Sequence, residues 1–388
     1  MKTKWIGLVL GLLVLGGIVC FWLLIKNNQK SDFLEPKQKM VVKREMRMIG
    51  FIPPWLLGKT QEYCQEVSHL VFLGVESNEE GNLVWDSSSK KINKEEYLRL
   101  KENIKRCGGK NMIGFKQFDD EILDKIFSSD TALSNLTEQI KAVVITGGFD
   151  GVNIDFEYQS SPTKIMNEKF LSWVKELGQL GEVEVDVFVN TVMKSDKEQL
   201  EKLLSAIDDL VIMAYDFHRP GMDVAGAVAP VEDEEGDPSI RKLIERIDSL
   251  GLDKKKITLA YPLYGYEWKV EEDEFGAKIK RGWYQVASLG RVKTLIQDSG
   301  NMIQESAAKQ DGQVTELKDG EMRLNWDDLS QTPWISYKKE GEIYQIYYDD
   351  EKSLGIKINL ARESGMGGVG FWALGYEGKD GKAWRMWD

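Results

Sequence analysis

From Met48 onward, short runs of apolar and β-branched residues alternate with stretches whose apolar positions recur every three or four residues. The first kind reads as strands and the second as amphipathic helices. Eight runs qualify, at residues 48–55, 69–75, 111–116, 151–158, 185–193, 210–217, 256–268 and 367–375. Helix-patterned segments lie between them at 95–107, 134–147, 168–180, 240–250 and 351–365. Strand and helix alternating eight times predicts an α/β fold, a parallel (β/α)8 TIM barrel, with its chemistry at the C-terminal ends of the strands. Polar and aromatic clusters fall there: Glu157 with Tyr158, Tyr215 with Asp216, Tyr264 with Tyr266, and Trp372.

One interval is out of step. Short β-like pieces at 281–288, 321–326 and 334–348 separate the seventh run from the last helix, and Lys339-Glu340-Gly341-Glu342 has the composition of a hairpin turn. The expectation is a small α+β insertion subdomain at about 269–348, between the seventh and eighth strands, walling one side of the cleft.

Ahead of the barrel, residues 5–25 form an uncharged run of 21, long enough to span a bilayer as a helix. It ends in Leu-Leu-Ile-Lys-Asn-Asn-Gln, not in the small residues of a cleavage site, so a retained anchor is expected, with Cys20 a membrane-buried thiol. Positive charge on both flanks leaves the orientation open, and the short N-terminal tail favours the large domain outside. The expected layout is a cytoplasmic tail at 1–4, the anchor at 5–25, a polar linker at 26–47 and the barrel at 48–388. That layout is a single-pass protein of the cell membrane with an extracytoplasmic barrel.

Charge narrows the partners. The chain carries −12, but its first 47 residues hold nine Lys/Arg against three Asp/Glu, which leaves about −18 on the large domain. Nucleic acid is an unsuitable partner for such a domain. Three Cys and two His exclude a disulfide-built scaffold and make a Cys- or His-based metal cage improbable. No metal or cofactor is expected.

The stretch FDGVNIDFEY, residues 149–158, carries the most chemistry. Side chains alternate along a strand, so Asn153, Asp155 and Glu157 share one face, while Val152, Ile154 and Phe156 take the other. If the apolar set packs under the helices, the polar row points into the barrel. Two neighbouring carboxylates buried there are costly unless they share a proton or pair with cations. The expected outcome is one acid left protonated near neutral pH and able to donate.

This stretch resembles the DGxDxDxE signature of glycoside hydrolase family 18, the chitinase family. The likeness extends to MAYDFH (213–218), similar to the family's Met-x-Tyr-Asp segment, and to GVGFWALG (368–375), similar to its last strand. Within the family, AYPLYGYEW (260–268) and GAVAP (226–230) look closest to bacterial spore-germination and cell-envelope members. The resemblance implies a monomeric hydrolase of N-acetylglucosamine polymers, retaining configuration by substrate assistance. Glu157 matches the general acid, Asp155 the group that holds the acetamido N–H, and Tyr215 the hydroxyl on the acetamido oxygen. Met213 and Asp216 fall in the Met-x-Tyr-Asp segment, and Asp216 matches a sugar-binding neighbour. Trp372 matches the indole floor under the reacting ring. Tyr264, Trp268, Trp55 and Trp334 are candidates for sugar subsites, and Asp150 is expected to be structural.

One departure matters: Asn153 stands where the family signature has its first Asp of the DxDxE core. An amide there can still hydrogen-bond but cannot hold charge, so retained activity with an altered pH profile is expected. The alternatives are a peptidoglycan N-acetylglucosaminidase, an enzyme acting on N-glycan cores, and a lectin of the same fold; the presence of Glu157 tells against the last. Cys64 and Cys107 fall on neighbouring predicted helices and are expected to remain unpaired, a disulfide being the minority alternative.

Overall fold

Alternation of side chains decides which way each strand faces, and the structure, a computed structural model, follows it around a closed ring. It describes residues 46–233, 237–300, 303–305 and 316–378. The ring strands are β1 (Arg47–Ile52), β2 (His69–Ser77), β3 (Lys110–Gln117), β4 (Gly151–Phe156), β5 (Glu182–Phe188), β6 (Asp209–Met213), β7 (Ile257–Pro262) and β8 (Gly368–Trp372). Neighbours pair in parallel all the way round, and β1 pairs with both β2 and β8, which closes the barrel. On β4, Val152, Ile154 and Phe156 join the core beneath the helices. Opposite-parity residues of other strands, including Phe51, Val71, Leu73, Met112 and Val211, make a second apolar cluster inside the ring.

The expected helical segments appear as Glu95–Arg106, Asp130–Gly147, Glu168–Leu177, Ile240–Leu250 and Glu351–Glu363. Helix Val189–Lys194 takes the end of the run expected as a strand over 185–193, and two more helices, Asp120–Ser128 and Lys197–Ala206, were not predicted. Both carry readable starts: Asp119 accepts from the Glu121 and Ile122 N–H groups, and Asp196 with Gln199 forms a capping box. On the outer face, the Phe156 ring stacks on Trp173 with centroids 5.5 Å apart.

The seventh run, expected as one strand over 256–268, is divided in two. β7 ends at Pro262, the Leu263 N–H donates to the Trp372 carbonyl at 2.7 Å, and the strand Tyr264–Val270 then belongs to a separate sheet. Gly265 sits against the Tyr347 backbone, where a β-carbon would collide with the Tyr347 carbonyl. That second sheet has six strands in the order Ile279–Ser288, Tyr264–Val270, Glu342–Tyr347, Thr332–Lys339, Met322–Asp327 and Ile303–Glu305. Helix Leu289–Ser299 accompanies it. At the expected hairpin, Lys339 pairs with Glu342 while Glu340 and Gly341 take φ of 54° and 78°, the geometry of a two-residue primed turn.

Cys64 and Cys107 form a disulfide, with Cα atoms 5.6 Å apart. The unpaired expectation fails because Cys64 lies in a turn, not a helix, and that turn meets the C-terminal end of helix Glu95–Arg106. The expected tail, the anchor with Cys20, and nearly all of the linker lie outside the described residues. Among the described residues, no helix is long and apolar enough to cross a membrane.

Candidate active site

Inside the ring, charge is layered. Toward the N-terminal ends of the strands the acids are matched: the Arg47 guanidinium meets Asp209 at 2.6 Å, and the Thr258 hydroxyl donates to the same carboxylate at 2.6 Å. His69 lies 3.1 Å from Glu182, which Lys110 also pairs. The hydrogen bond from His69, helped by Lys110, holds Glu182 down at about 2. One layer higher the matching stops. Asp155 and Glu157 on β4 and just beyond it, with Glu184 and Asp186 on β5, have no ion-pair partner among the described residues. Burial is the main cause that raises all four: Asp155 to about 8, Glu157 to about 9, and Glu184 and Asp186 well above the ordinary carboxylate range. Neighbouring carboxylates add to it, Asp186 acting on Asp155 and Asp155 on Glu157. Asp155 Oδ1, Glu184 Oε1 and Asn153 Oδ1 are buried without a hydrogen-bond partner.

The layer opens at the C-terminal ends of the strands into a cleft of about 700 Å³. Glu157 continues the β4 line, its N–H donating to the Gln117 carbonyl at 2.9 Å. Its carboxyl is hydrogen-bonded to Asp155 and receives the Gln159 amide at 2.6 Å. Tyr158, next in sequence, points the other way into the core, with its hydroxyl donating to Asp124 at 3.2 Å. Asp150 lies at the foot of β4, about 20 Å from Glu157 by strand rise. There its carboxylate accepts the Asn111 N–H at 2.8 Å, away from the cleft.

Across from the acids, the chain leaving β6 places Met213, Tyr215 and Asp216 on the cleft wall. Asp216 has φ of 60°, and its Oδ1 accepts from the Tyr264 hydroxyl at 2.5 Å and the Tyr266 hydroxyl at 3.1 Å. Burial raises the Asp216 carboxyl, while these two hydroxyls oppose the rise. Trp372 ends β8 with its ring 6.1 Å from Phe51 and 6.4 Å from Trp55. Trp55 is 51% exposed on the 3-10 turn Pro54–Lys59 and stands at the rim beside Trp372.

Asp155, Glu157, Met213, Tyr215, Asp216, Tyr264 and Trp372 therefore meet around one cavity. Three expected subsite residues do not, and of these Trp55 stands outside the lining, beside Trp372. Trp268 is 1% exposed and packs between Tyr266 and Tyr347 in the inserted sheet, because its strand turns that face into the sheet's own core. Trp334 stacks on Tyr347 in the same cluster. Among the described residues, no group of three or more His, Cys, Asp or Glu side chains is arranged to hold a metal ion.

Sequence reasoning missed Gln159, Glu184 and Asp186. The signal for the last two was present: Glu182-Val-Glu-Val-Asp-Val-Phe alternates acid and apolar residues as a half-polar strand should. The unpaired acids carry a stability consequence with a definite sign. A carboxyl raised on folding holds a proton that the unfolded chain releases above about pH 4, so stability falls as pH climbs from there toward the folded value. Glu184→Gln is expected to raise the thermal midpoint by a few degrees, with a larger gain at pH 8 than at pH 5. Melting curves at the two pH values check this, and an equal gain at both would remove the electrostatic cause.

Residues 42–377 match the family described as glycosyl hydrolases family 18. YdhD of Bacillus subtilis, named for a sporulation-specific glycosylase, is 26% identical over 263 residues, 66% of this chain and 54% of YdhD. The chain thus spans little more than half of that relative. The spore cortex-lytic enzyme SleL of Bacillus cereus superposes with a TM-score of 0.65 at 17% identity, covering 89% of this chain and 74% of SleL. A Group IV chitinase of Ostrinia furnacalis, solved with allosamidin, gives 0.69 at 15% identity, covering 85% and 92% of the two chains. With a family match over most of its length and a closed barrel that opens on Asp155 and Glu157, this chain belongs to glycosyl hydrolase family 18.

Proposed function

We propose that the chain is a retaining glycosidase that cleaves β-1,4 linkages in N-acetylglucosamine polymers, using the substrate's own acetamido group as nucleophile. The observation that carries this reading is Glu157, a carboxyl beside Asp155 facing the cleft, which burial and Asp155 raise to about 9. Such a group is suited to protonating a glycosidic oxygen. In the first step the bond from C1 to that oxygen breaks as the oxygen takes the Glu157 proton, and the acetamido oxygen bonds to C1, giving an oxazolinium ion. Asp155, as an anion, accepts from the acetamido N–H. The Tyr215 hydroxyl holds the acetamido oxygen in attacking position. Trp372 supplies a ring face under the reacting sugar, and Asp216 takes a sugar hydroxyl. Water then attacks C1, gives a proton to Glu157 and reopens the acetamide, which restores both the acid and the original configuration.

Chitin is the reference polymer for this chemistry. Peptidoglycan is a second reading, favoured by the names of YdhD and SleL. The same proposal includes a single-pass tether at residues 5–25 with the barrel outside the cytoplasm, where the Cys64–Cys107 disulfide suits an oxidising compartment. The test incubates the full chain, in detergent, with chitotetraose and separately with purified peptidoglycan. New reducing ends are counted, and the first anomer is read by proton NMR. Release of the β-anomer from either polymer supports the reading and selects the substrate. Release of the α-anomer first, or binding without release from both, would replace it with an inverting enzyme or a lectin.

A further inference from the structure

The amide at position 153, where the family motif has an Asp, does not turn toward Asp155. Its Nδ2 donates to Asp186 Oδ1 at 2.8 Å and, at the longer distance of 3.4 Å, to Glu184 Oε2, both on β5. Asn153 is completely buried, and Asp186 is 4% exposed yet lines the cleft beside Asp155 and Glu157. Glu184 lies deeper and does not reach the cleft. We propose that Asp186, clamped by Asn153, is the positioning residue that governs the protonation of Asp155, so that the carboxyl partner missing from β4 sits one strand over on β5.

An amide neither takes up nor releases a proton, so a partner that exchanges charge with Asp155 has to be another carboxyl in the same dry layer. Asp186 faces Asp155 and Glu157 from the β4 side and Glu184 on its own strand. From β6 it faces Asp209, already tied to Arg47 of β1 and Thr258 of β7, and beyond β6 it faces Tyr215. Lys116 of β3 acts on Asp155 and is bridged to Glu76 at 2.8 Å. None of these neutralises Asp186. An anion on Asp186 repels one on Asp155, so the Asp186 carboxyl holds back the ionisation of Asp155. The Asn153 donor opposes the rise that burial imposes on Asp186.

This inference rests on the reading of Asp155 and Glu157 as the reacting pair, and its test separates the two. The pH profile of kcat/KM on chitooligosaccharide, or on peptidoglycan if that is the polymer cleaved, is compared for the full-length wild type, Asp186→Asn and the swap Asn153→Asp/Asp186→Asn. Removing the like charge lets Asp155 ionise earlier, so Asp186→Asn should move the acidic limb down by about one pH unit, and the swap should bring it back. A limb that stays in place while the rate merely scales down would mean a structural role and overturn the proposal. Carbon-13 NMR titration of labelled Asp carboxyls needs no substrate: one resonance titrating far above the ordinary range should shift down in Asp186→Asn. If wild type cleaves nothing, the catalytic reading fails and this titration still decides the inference, an unmoved resonance overturning it. Should Asp186→Asn not fold, Asn153→Asp alone adds a carboxyl beside the pair and is expected to raise the limb and the resonance; no movement of either overturns the proposal.

Discussion

Glu157→Gln is expected to lower turnover by about 100-fold to 10,000-fold while oligosaccharide affinity changes by no more than a few fold, the range for removing a positioned general acid. The amide keeps the shape of the carboxyl and its contact with Gln159 but has no proton to give the leaving oxygen. The pH dependence has a definite sign. Burial and Asp155 raise the Glu157 carboxyl to about 9, so the acid stays loaded through neutrality and the loss of kcat/KM that its deprotonation causes should come in the alkaline range. Initial rates across pH, with binding followed by calorimetry, check both parts. Retained turnover in the variant, or a wild-type basic limb near pH 5, would remove Glu157 from the acid role.

The second large effect concerns stability, and its site lies where the chain returns from the inserted sheet to the barrel. Lys357, on helix Glu351–Glu363, pairs with Asp349, and both side chains are buried, at 0% and 1% exposure. Burial pushes the lysine down and the aspartate up, and their mutual attraction opposes both shifts. The Tyr261 hydroxyl donates to the Lys357 carbonyl at 3.1 Å, binding the helix to β7. Lys357→Ala leaves a buried carboxyl without its cation and is expected to cost about 3–5 kcal/mol, a large share of the roughly 5–15 kcal/mol that holds a typical domain. The double substitution Lys357→Met/Asp349→Leu should recover most of that loss, because apolar side chains of similar volume carry no desolvation penalty. Urea unfolding of the three proteins measures the comparison. Equal loss in the single and double variants would show that packing, not charge, is what the site supplies.

The eight-strand ring was legible because strand alternation and helix periodicity differ in period, and both were strong along most of the chain. Asp155 and Glu157 could be placed on the inner face from parity alone, and the cleft residues after β6 and at Trp372 followed from the rule that strand ends carry chemistry. The division at Leu263 was not legible. Residues on both sides are β-rich, and the break is made by a hydrogen bond to Trp372, more than one hundred residues away. Trp268 was misplaced for a related reason: an aromatic in a strand has two faces available, and only the packing of Tyr266 and Tyr347 decides which is inside. Asp186 was overlooked because the fifth run was counted from its apolar residues, starting at 185. The acids of Glu182–Phe188 carry that strand's inner face.

The inserted sheet enters and leaves the barrel at adjoining points. Its first strand, Tyr264–Val270, is paired directly with its last, Glu342–Tyr347, with Val270 opposite Ile343. Residues 271 and 341 are thereby held close together by a closed stem, and the entropy of closing such a loop grows by only about 0.6 kcal/mol per doubling of its length. The tip can be lengthened, trimmed or exchanged while the stem keeps β7 and β8 in register. Chain-length preference along the cleft wall and survival of the barrel are in that sense separately heritable, so a lineage or an engineer can rewrite the first without renegotiating the second.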